Sequence, residues 1–330
     1  MKLLSIAHTI LCMSSFALAD YNPAVKTNLA VYWGQNSAAQ PTSQNRLSTY
    51  CEDTNIDIII LSFVVSINSG KGEPELNFAN QQGKCDESKQ PLICPEIEAD
   101  IKTCQSKKKT ILLSIGGAIS ADPGFPDAPA AVHAAEKIWQ MFGPNQGKSG
   151  IARPFGSASV DGFDLDFEHS MPNGAAFANA LRAQMQGTAS HDKPFYLTAA
   201  PQCPLDPIPL AQKEILENVH FDMVFVQFYN NPQCNTGSVP NFSAWSDWAK
   251  SKNSTFFVGL PAGKTAASSG YVEPANLGAY LEKAKESEKM GGVMLWDASQ
   301  AWGNDKYHNK VKTALNGAKT KRSSRFGLAI

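Results

Sequence analysis

Short apolar runs alternate with longer amphipathic ones along almost the whole chain. β-Branched and aromatic residues cluster at 28–33, 56–66, 110–115, 162–168, 195–199, 223–229, 255–260 and 292–296. Such runs suit strands that are covered on both faces. Between them, apolar residues recur near the 3.6 spacing of a helix at 46–53, 96–107, 129–142, 175–186, 211–218, 243–251, 274–290 and 305–316. A strand followed by a helix calls for parallel pairing, because the helix carries the chain back to the start of the next strand. Eight such units with no reversal at the middle predict an α/β fold that closes on itself, a single (β/α)8 TIM barrel. No Pro- or Ser-rich linker breaks the series, so one domain is expected over 20–318.

Composition then narrows the class. The 330 residues carry 29 basic and 30 acidic side chains, a net charge of −1. That balance lacks the field that holds proteins on nucleic acid or anionic lipid, so no nucleic-acid partner is expected. Hydrophobic residues at 43% exclude global disorder, and charged residues at 18% suit an exported protein. Residues 1–19 read as a signal peptide: Lys2, an apolar run over 3–13, and Ala17-Leu18-Ala19 before Asp20. The run is shorter than the ~20 residues a transmembrane helix needs, and no later segment is a better candidate. The product is expected to be secreted, extracellular or associated with a cell wall, and monomeric. The basic tail 319–330 has no structure signals and is expected to be frayed.

Cys12 falls in the leader. Cys51, Cys85, Cys94, Cys104, Cys203 and Cys234 remain, an even set that suggests disulfides but leaves 15 pairings open. Their spacing is not that of a zinc site, and no metal is expected. Asn241-Phe242-Ser243 and Asn253-Ser254-Thr255 are N-glycosylation sequons.

The most informative segment is Asp161-Gly162-Phe163-Asp164-Leu165-Asp166-Phe167-Glu168. Alternate strand residues share a face, so Asp164, Asp166 and Glu168 lie on one side and the apolar residues on the other. The apolar side can pack on helices. The acidic side then points into the barrel, where carboxylates ~6.6 Å apart cannot all stay ionised. Such a graded set is what general acid catalysis on an acetal requires. Glu168 comes last, nearest the mouth where barrel enzymes do their chemistry. Asp161, at the start, reads as structural. Gln227, Tyr229, Trp296 and Tyr32 fall at the same ends of other strands. They would supply an aromatic floor with amide and phenol groups, a surface suited to a sugar ring.

Asp161-x-x-Asp164-x-Asp166-x-Glu168 and Ser114-Ile115-Gly116-Gly117 resemble the motifs of glycoside hydrolase family 18. Tyr32-Trp33-Gly34-Gln35-Asn36, the segment from Leu197 to Cys203, Val226-Gln227-Phe228-Tyr229-Asn230-Asn231 and the segment from Gly291 to Trp296 are similar to the plant and fungal class III, hevamine-like branch. The resemblance spans roughly residues 27–316. It implies an endo-acting chitinase whose partners are chitin and N-acetylglucosamine oligomers, working with retention and without a cofactor. The substrate's own N-acetyl oxygen would attack, giving an oxazolinium ion, a route outside the two-carboxylate scheme.

By the same resemblance, Glu168 is the general acid, Asp166 orients the acetamido group, Asp164 shares a proton with Asp166, and Tyr229 holds the acetamido oxygen. Trp296 is the floor, and Tyr32, Gln35, Phe63, Gly117, Ala199, Gln227 and Asn230 line the site or its neighbours. The resemblance further implies disulfides Cys51–Cys104, Cys85–Cys94 and Cys203–Cys234, and cis bonds at Ser62–Phe63 and Trp296–Asp297. Segments 71–84, 122–129 and 297–302 depart from the plant pattern and bear on subsite shape. The alternatives are a non-catalytic lectin or inhibitor on the same fold, or the same chemistry on N-glycan cores or peptidoglycan.

Overall fold

A computed structural model describes residues 21–68, 72–145, 147, 150–188, 194–235 and 240–317. The expected leader, Cys12 and the tail 319–330 lie outside the described residues. Eight parallel strands form the barrel: β1 (Asn28–Trp33), β2 (Ile58–Ser66), β4 (Thr110–Gly116), β5 (Gly162–Asp166), β6 (Tyr196–Ala199), β7 (Met223–Gln227), β8 (Thr255–Pro261) and β9 (Met290–Trp296). The short β3 (Glu75–Leu76) pairs antiparallel with the far end of β2. β1 pairs with both β2 and β9, Ala30 opposite Ile58 and also opposite Met294, so the sheet closes.

Nine α-helices lie among the described residues: α1 (Leu47–Cys51), α2 (Pro95–Ser106), α3 (Ala128–Phe142), α4 (Gly174–Gly187), α5 (Leu210–Asn218), α6 (Phe242–Ser251), α7 (Leu277–Lys285), α8 (Ala298–Gly303) and α9 (Tyr307–Leu315). Their starts follow local chemistry. Asp127 accepts a hydrogen bond from Ala130 N, with Pro129 in the first turn of α3. Pro95 opens α2, and Glu96 and Glu98 face its positive end.

Strand alternation divides the core into two layers. Leu29, Val31 and Trp33 of β1, Phe163 and Leu165 of β5, and Val224 and Val226 of β7 pack outward against the helices. Ala30, Tyr32, Ile58, Ile60, Met223, Phe225 and Phe257 fill the barrel. The interior is therefore a packed core, and any site must sit at its rim.

The expected barrel is present, with local differences in where elements begin and end. β5 ends at Asp166 and β7 at Gln227, each two residues sooner than the apolar pattern suggests. β3, a 3-10 turn at Ala79–Lys84 and α8 were not anticipated. The region 274–290 is a 3-10 turn at Pro274–Asn276 followed by α7. The cysteines pair as Cys51–Cys104, Cys85–Cys94 and Cys203–Cys234, and Ser62–Phe63 and Trp296–Asp297 are cis. No helix of the described residues is long and apolar enough to cross a membrane.

Candidate active site

The two acids on β5 point inward because their neighbours Phe163 and Leu165 point out. Asp164 is fully buried. Its Oδ2 accepts from Tyr32 Oη at 2.7 Å and Ser114 Oγ at 2.6 Å, and its Oδ1 accepts from Thr198 Oγ1 at 2.7 Å. The donors come from β1, β4 and β6, so one carboxylate gathers three strands. Burial raises its pKa, and the three hydroxyls pull the other way.

Asp166 stands one step nearer the rim. Gln227 Nε2 donates to its Oδ1 at 3.0 Å and to the carbonyl of Ala200 at 3.1 Å. Burial above all, then the negative charges of Glu168 and Asp164, push the Asp166 carboxyl well above the usual range. Glu168 lies two residues past the strand end and is half-buried. Its pKa is also raised, chiefly by burial, against the opposing effects of the Gln227 amide and His169. Three carboxyl groups in one row are thus all biased toward the protonated form, and fewer protons than sites can be held in common.

Tyr229 faces this row from the end of β7, and burial with the nearby acids holds its hydroxyl well above its ordinary pKa. It remains a proton donor. Trp296 and Phe63 stack with ring centres 5.9 Å apart, and Tyr32 meets Trp296 edge-on at 5.4 Å. Gly117 lies against the Phe63 ring at φ +87°, where a Cβ would come within 2.7 Å of Cε2. Its N–H donates to the carbonyl of Asp166 at 2.8 Å. Only glycine lets the chain take that turn with the ring so close.

These groups surround an open cavity of about 340 Å³, lined by Gln35, Phe63, Asp166, Glu168, Gln227, Tyr229, Asn230 and Trp296. Gln35 Nε2 is held by the carbonyls of Ser62 at 2.9 Å and Asn77 at 3.0 Å. Asn230 is exposed, and its Oδ1 accepts from Ser268 N and Oγ at 2.9 and 2.7 Å. Tyr32, Asp164 and Gly117 sit beneath or behind this lining and support it.

Ala199 is a correction. It pairs opposite Leu165 and belongs to the outer layer, so its methyl faces the helices and not the cavity. Ala200, the next residue, packs with the inner aromatic residues. Ala118, Ile119, Gln202, Asn231 and Ala266 also line the cavity but were not expected there. The signal for Ile119 is a large apolar residue just after Ser114-Ile115-Gly116-Gly117; it is 63% exposed. Larger recesses between α6 and α7 and between α7 and α9, about 540 and 940 Å³, collect no comparable set of acids and aromatics. Asp161 is confirmed in a supporting position: Oδ2 accepts from Ile111 N at 2.8 Å and Oδ1 from Gln105 Nε2 at 3.0 Å.

Among the described residues no group of His, Cys, Asp and Glu is placed to hold a metal ion. What remains is a rim with acids of graded proton affinity, a phenol donor and an aromatic floor. It can protonate a leaving oxygen and hold a planar ring.

The family model for the glycosyl hydrolases family 18 matches residues 28–270. "Endochitinase 33" of Trichoderma harzianum is 41% identical over 329 residues, covering 96% of this chain and all of the relative. The crystal structure of ICChI chitinase from Ipomoea carnea superposes with a TM-score of 0.73 at 29% identity, covering 87% of this chain and 99% of that one. The xylanase and alpha-amylase inhibitor protein XAIP-II from Scadoxus multiflorus superposes with a TM-score of 0.71 at 32% identity, covering 86% and 97%.

Proposed function

The chain belongs to the glycosyl hydrolases family 18, and from that premise we propose that it is a secreted chitinase cutting internal β-1,4 linkages of N-acetylglucosamine polymers. The fold alone does not decide this, since a protein named as an inhibitor shares it. The observation that carries the reading is the complete row Asp164, Asp166 and Glu168 opening onto an unblocked cavity floored by Trp296. A binding protein has no need to hold three acids against their own repulsion.

In the proposed reaction Glu168 gives its proton to the glycosidic oxygen, and the bond from that oxygen to the anomeric carbon breaks. The acetamido oxygen of the same sugar attacks the anomeric carbon, so the product of this step is an oxazolinium ion. Asp166 faces the acetamido nitrogen and balances its developing positive charge. Tyr229 donates to the acetamido oxygen and fixes it for attack, an orientation effect of several orders of magnitude in effective molarity. Water, giving a proton to Glu168, then bonds the anomeric carbon as the bond from that carbon to the acetamido oxygen breaks, which restores the acetamido group and gives overall retention. Asp164, held by Tyr32, Ser114 and Thr198, takes up or releases the proton it shares with Asp166 as the charge on the sugar comes and goes.

The test is Glu168→Gln. It keeps the shape and removes the transferable proton, so turnover of chitin oligomers should fall by at least ~10³-fold with oligomer binding within about threefold of the parent. Turnover near the parent rate sinks the assignment. A parent protein that binds oligomers and releases no new reducing ends would instead establish the lectin reading.

A further inference from the structure

We propose that Asn253, and not Asn241, carries an N-linked glycan. Both residues satisfy the sequon. The structure separates them by what each side-chain amide is doing.

Asn241 precedes α6. Its Nδ2 donates to the carbonyl of Cys203 at 2.9 Å, an acceptor shared with Trp245 Nε1 at 2.9 Å. Its Oδ1 is buried. A glycosylated amide is planar and trans like a peptide, which places the sugar's anomeric carbon on the same side as the amide oxygen. At Asn241 that side is closed by protein. Turning the amide over does not help, because Oδ1 would then face the Cys203 carbonyl, acceptor against acceptor. A chain modified there could not reach this packed state.

Asn253 is exposed, in the turn that ends α6. Its φ of +51° is a left-handed conformation that Asn tolerates, and its N–H closes the turn on Lys250 O at 3.3 Å. Among the described residues, no hydrogen bond occupies its side-chain amide. Thr255, the third sequon residue, begins β8, and its Oγ1 lies 3.2 Å from Tyr21 Oη. That is the N-terminal end of the barrel, opposite the Glu168 rim. A glycan at Asn253 therefore stands on the far side of the protein from the cavity, where it adds a hydrophilic cover without obstructing substrate.

The transfer is balanced by a lipid-diphosphate-linked oligosaccharide. Asn253 Nδ2 loses a proton and bonds the anomeric carbon of the terminal N-acetylglucosamine. The bond from that carbon to the diphosphate oxygen breaks, and the lipid diphosphate leaves. The experiment takes the full chain from the medium of a eukaryotic host and treats it with peptide N-glycosidase in heavy-oxygen water. That treatment converts a glycosylated Asn to a labelled Asp, located by peptide mapping. Label on most copies of Asn253 and none on Asn241 is the expected result. Asn253→Gln should abolish the mass shift on deglycosylation and leave the turnover of chitin oligomers within about twofold. Label at Asn241, alone or beside Asn253, or an unlabelled Asn253, overturns the assignment.

Discussion

At the scale of single residues, the acids act through their proton affinity. Glu168 and Asp166 are both raised above their ordinary values by burial, and Asp166 further by its neighbours' charges. Glu168 must be protonated at the start of the proposed reaction. Turnover should therefore persist at pH values where an ordinary glutamate is ionised, then fall on the alkaline side as this proton is lost. A rate–pH profile whose alkaline limb disappears in Glu168→Gln tests the point. Stability runs in the same direction. A carboxyl whose folded pKa is raised keeps its proton to higher pH in the native state than in the unfolded chain. Its favourable contribution is present in acid and lost as pH rises through the folded value. Asp166→Asn removes that loss. It should raise Tm near neutral pH by a few degrees, the scale of about 1 kcal/mol in a large domain, and change it little near pH 4. Activity should drop at least ~10²-fold in the same variant. Thermal scans at both pH values decide it. The alternation of acid and apolar residues made Asp164, Asp166 and their inward direction legible in the sequence. The placing of Ala199 in the site missed the parity of β6: Thr198 faces Asp164, so Ala199 must face away.

At the scale of elements, the site depends on loops whose sequences have no period to read. Gly117 follows β4 and touches Phe63, which follows Ser62 on β2. Gly117→Ala must both force a side chain into φ +87° and push the ring. It should cost about 1–3 kcal/mol of stability and, by displacing Phe63 from Trp296, at least ~10-fold in kcat/KM. Full activity with an unchanged Tm would show that the ring contact is not needed. The loop after β1 is tied in a similar way. Ser37 N donates to Asp297 Oδ2 at 2.9 Å, Ala38 N to Ser299 Oγ at 3.1 Å, and Gln300 Nε2 to Thr265 Oγ1 at 2.9 Å. Asp297 also caps α8, where Gln300 N donates to its Oδ1 at 3.2 Å. A helix of six residues carries no amphipathic signal. The segment 297–302 could be recognised in the sequence as unlike the plant pattern, but only the contacts show that it fastens two neighbouring loops.

At the scale of the whole molecule, the barrel was legible because each strand–helix unit repeats one pattern, and a pattern repeated eight times leaves little choice of closure. What closes the catalytic face is less regular. Cys203 follows Gln202 of the cavity wall, and Cys234 N donates to Asn231 O at 3.1 Å, Asn231 being another wall residue. The Cys203–Cys234 bond spans 31 residues of sequence, and those residues include Gln227 and Tyr229. On chain-entropy grounds, opening a loop of that length costs about 3–4 kcal/mol. The paired substitution Cys203→Ser with Cys234→Ser should therefore lower Tm by about 10 °C. The surviving folded fraction should also lose affinity for long oligomers more than for short ones, because the wall beyond the reacting sugar loosens while Asp164 stays anchored by donors from three strands. Breaking Cys51–Cys104 instead affects α1 and α2, away from Tyr229 and Gln202. It should cost a comparable or larger amount of stability at unchanged KM. Thermal unfolding and oligomer kinetics on the two variants separate a disulfide that holds the fold from one that also holds the cleft. Equal KM effects from both would mean that the catalytic face takes its shape from the barrel alone.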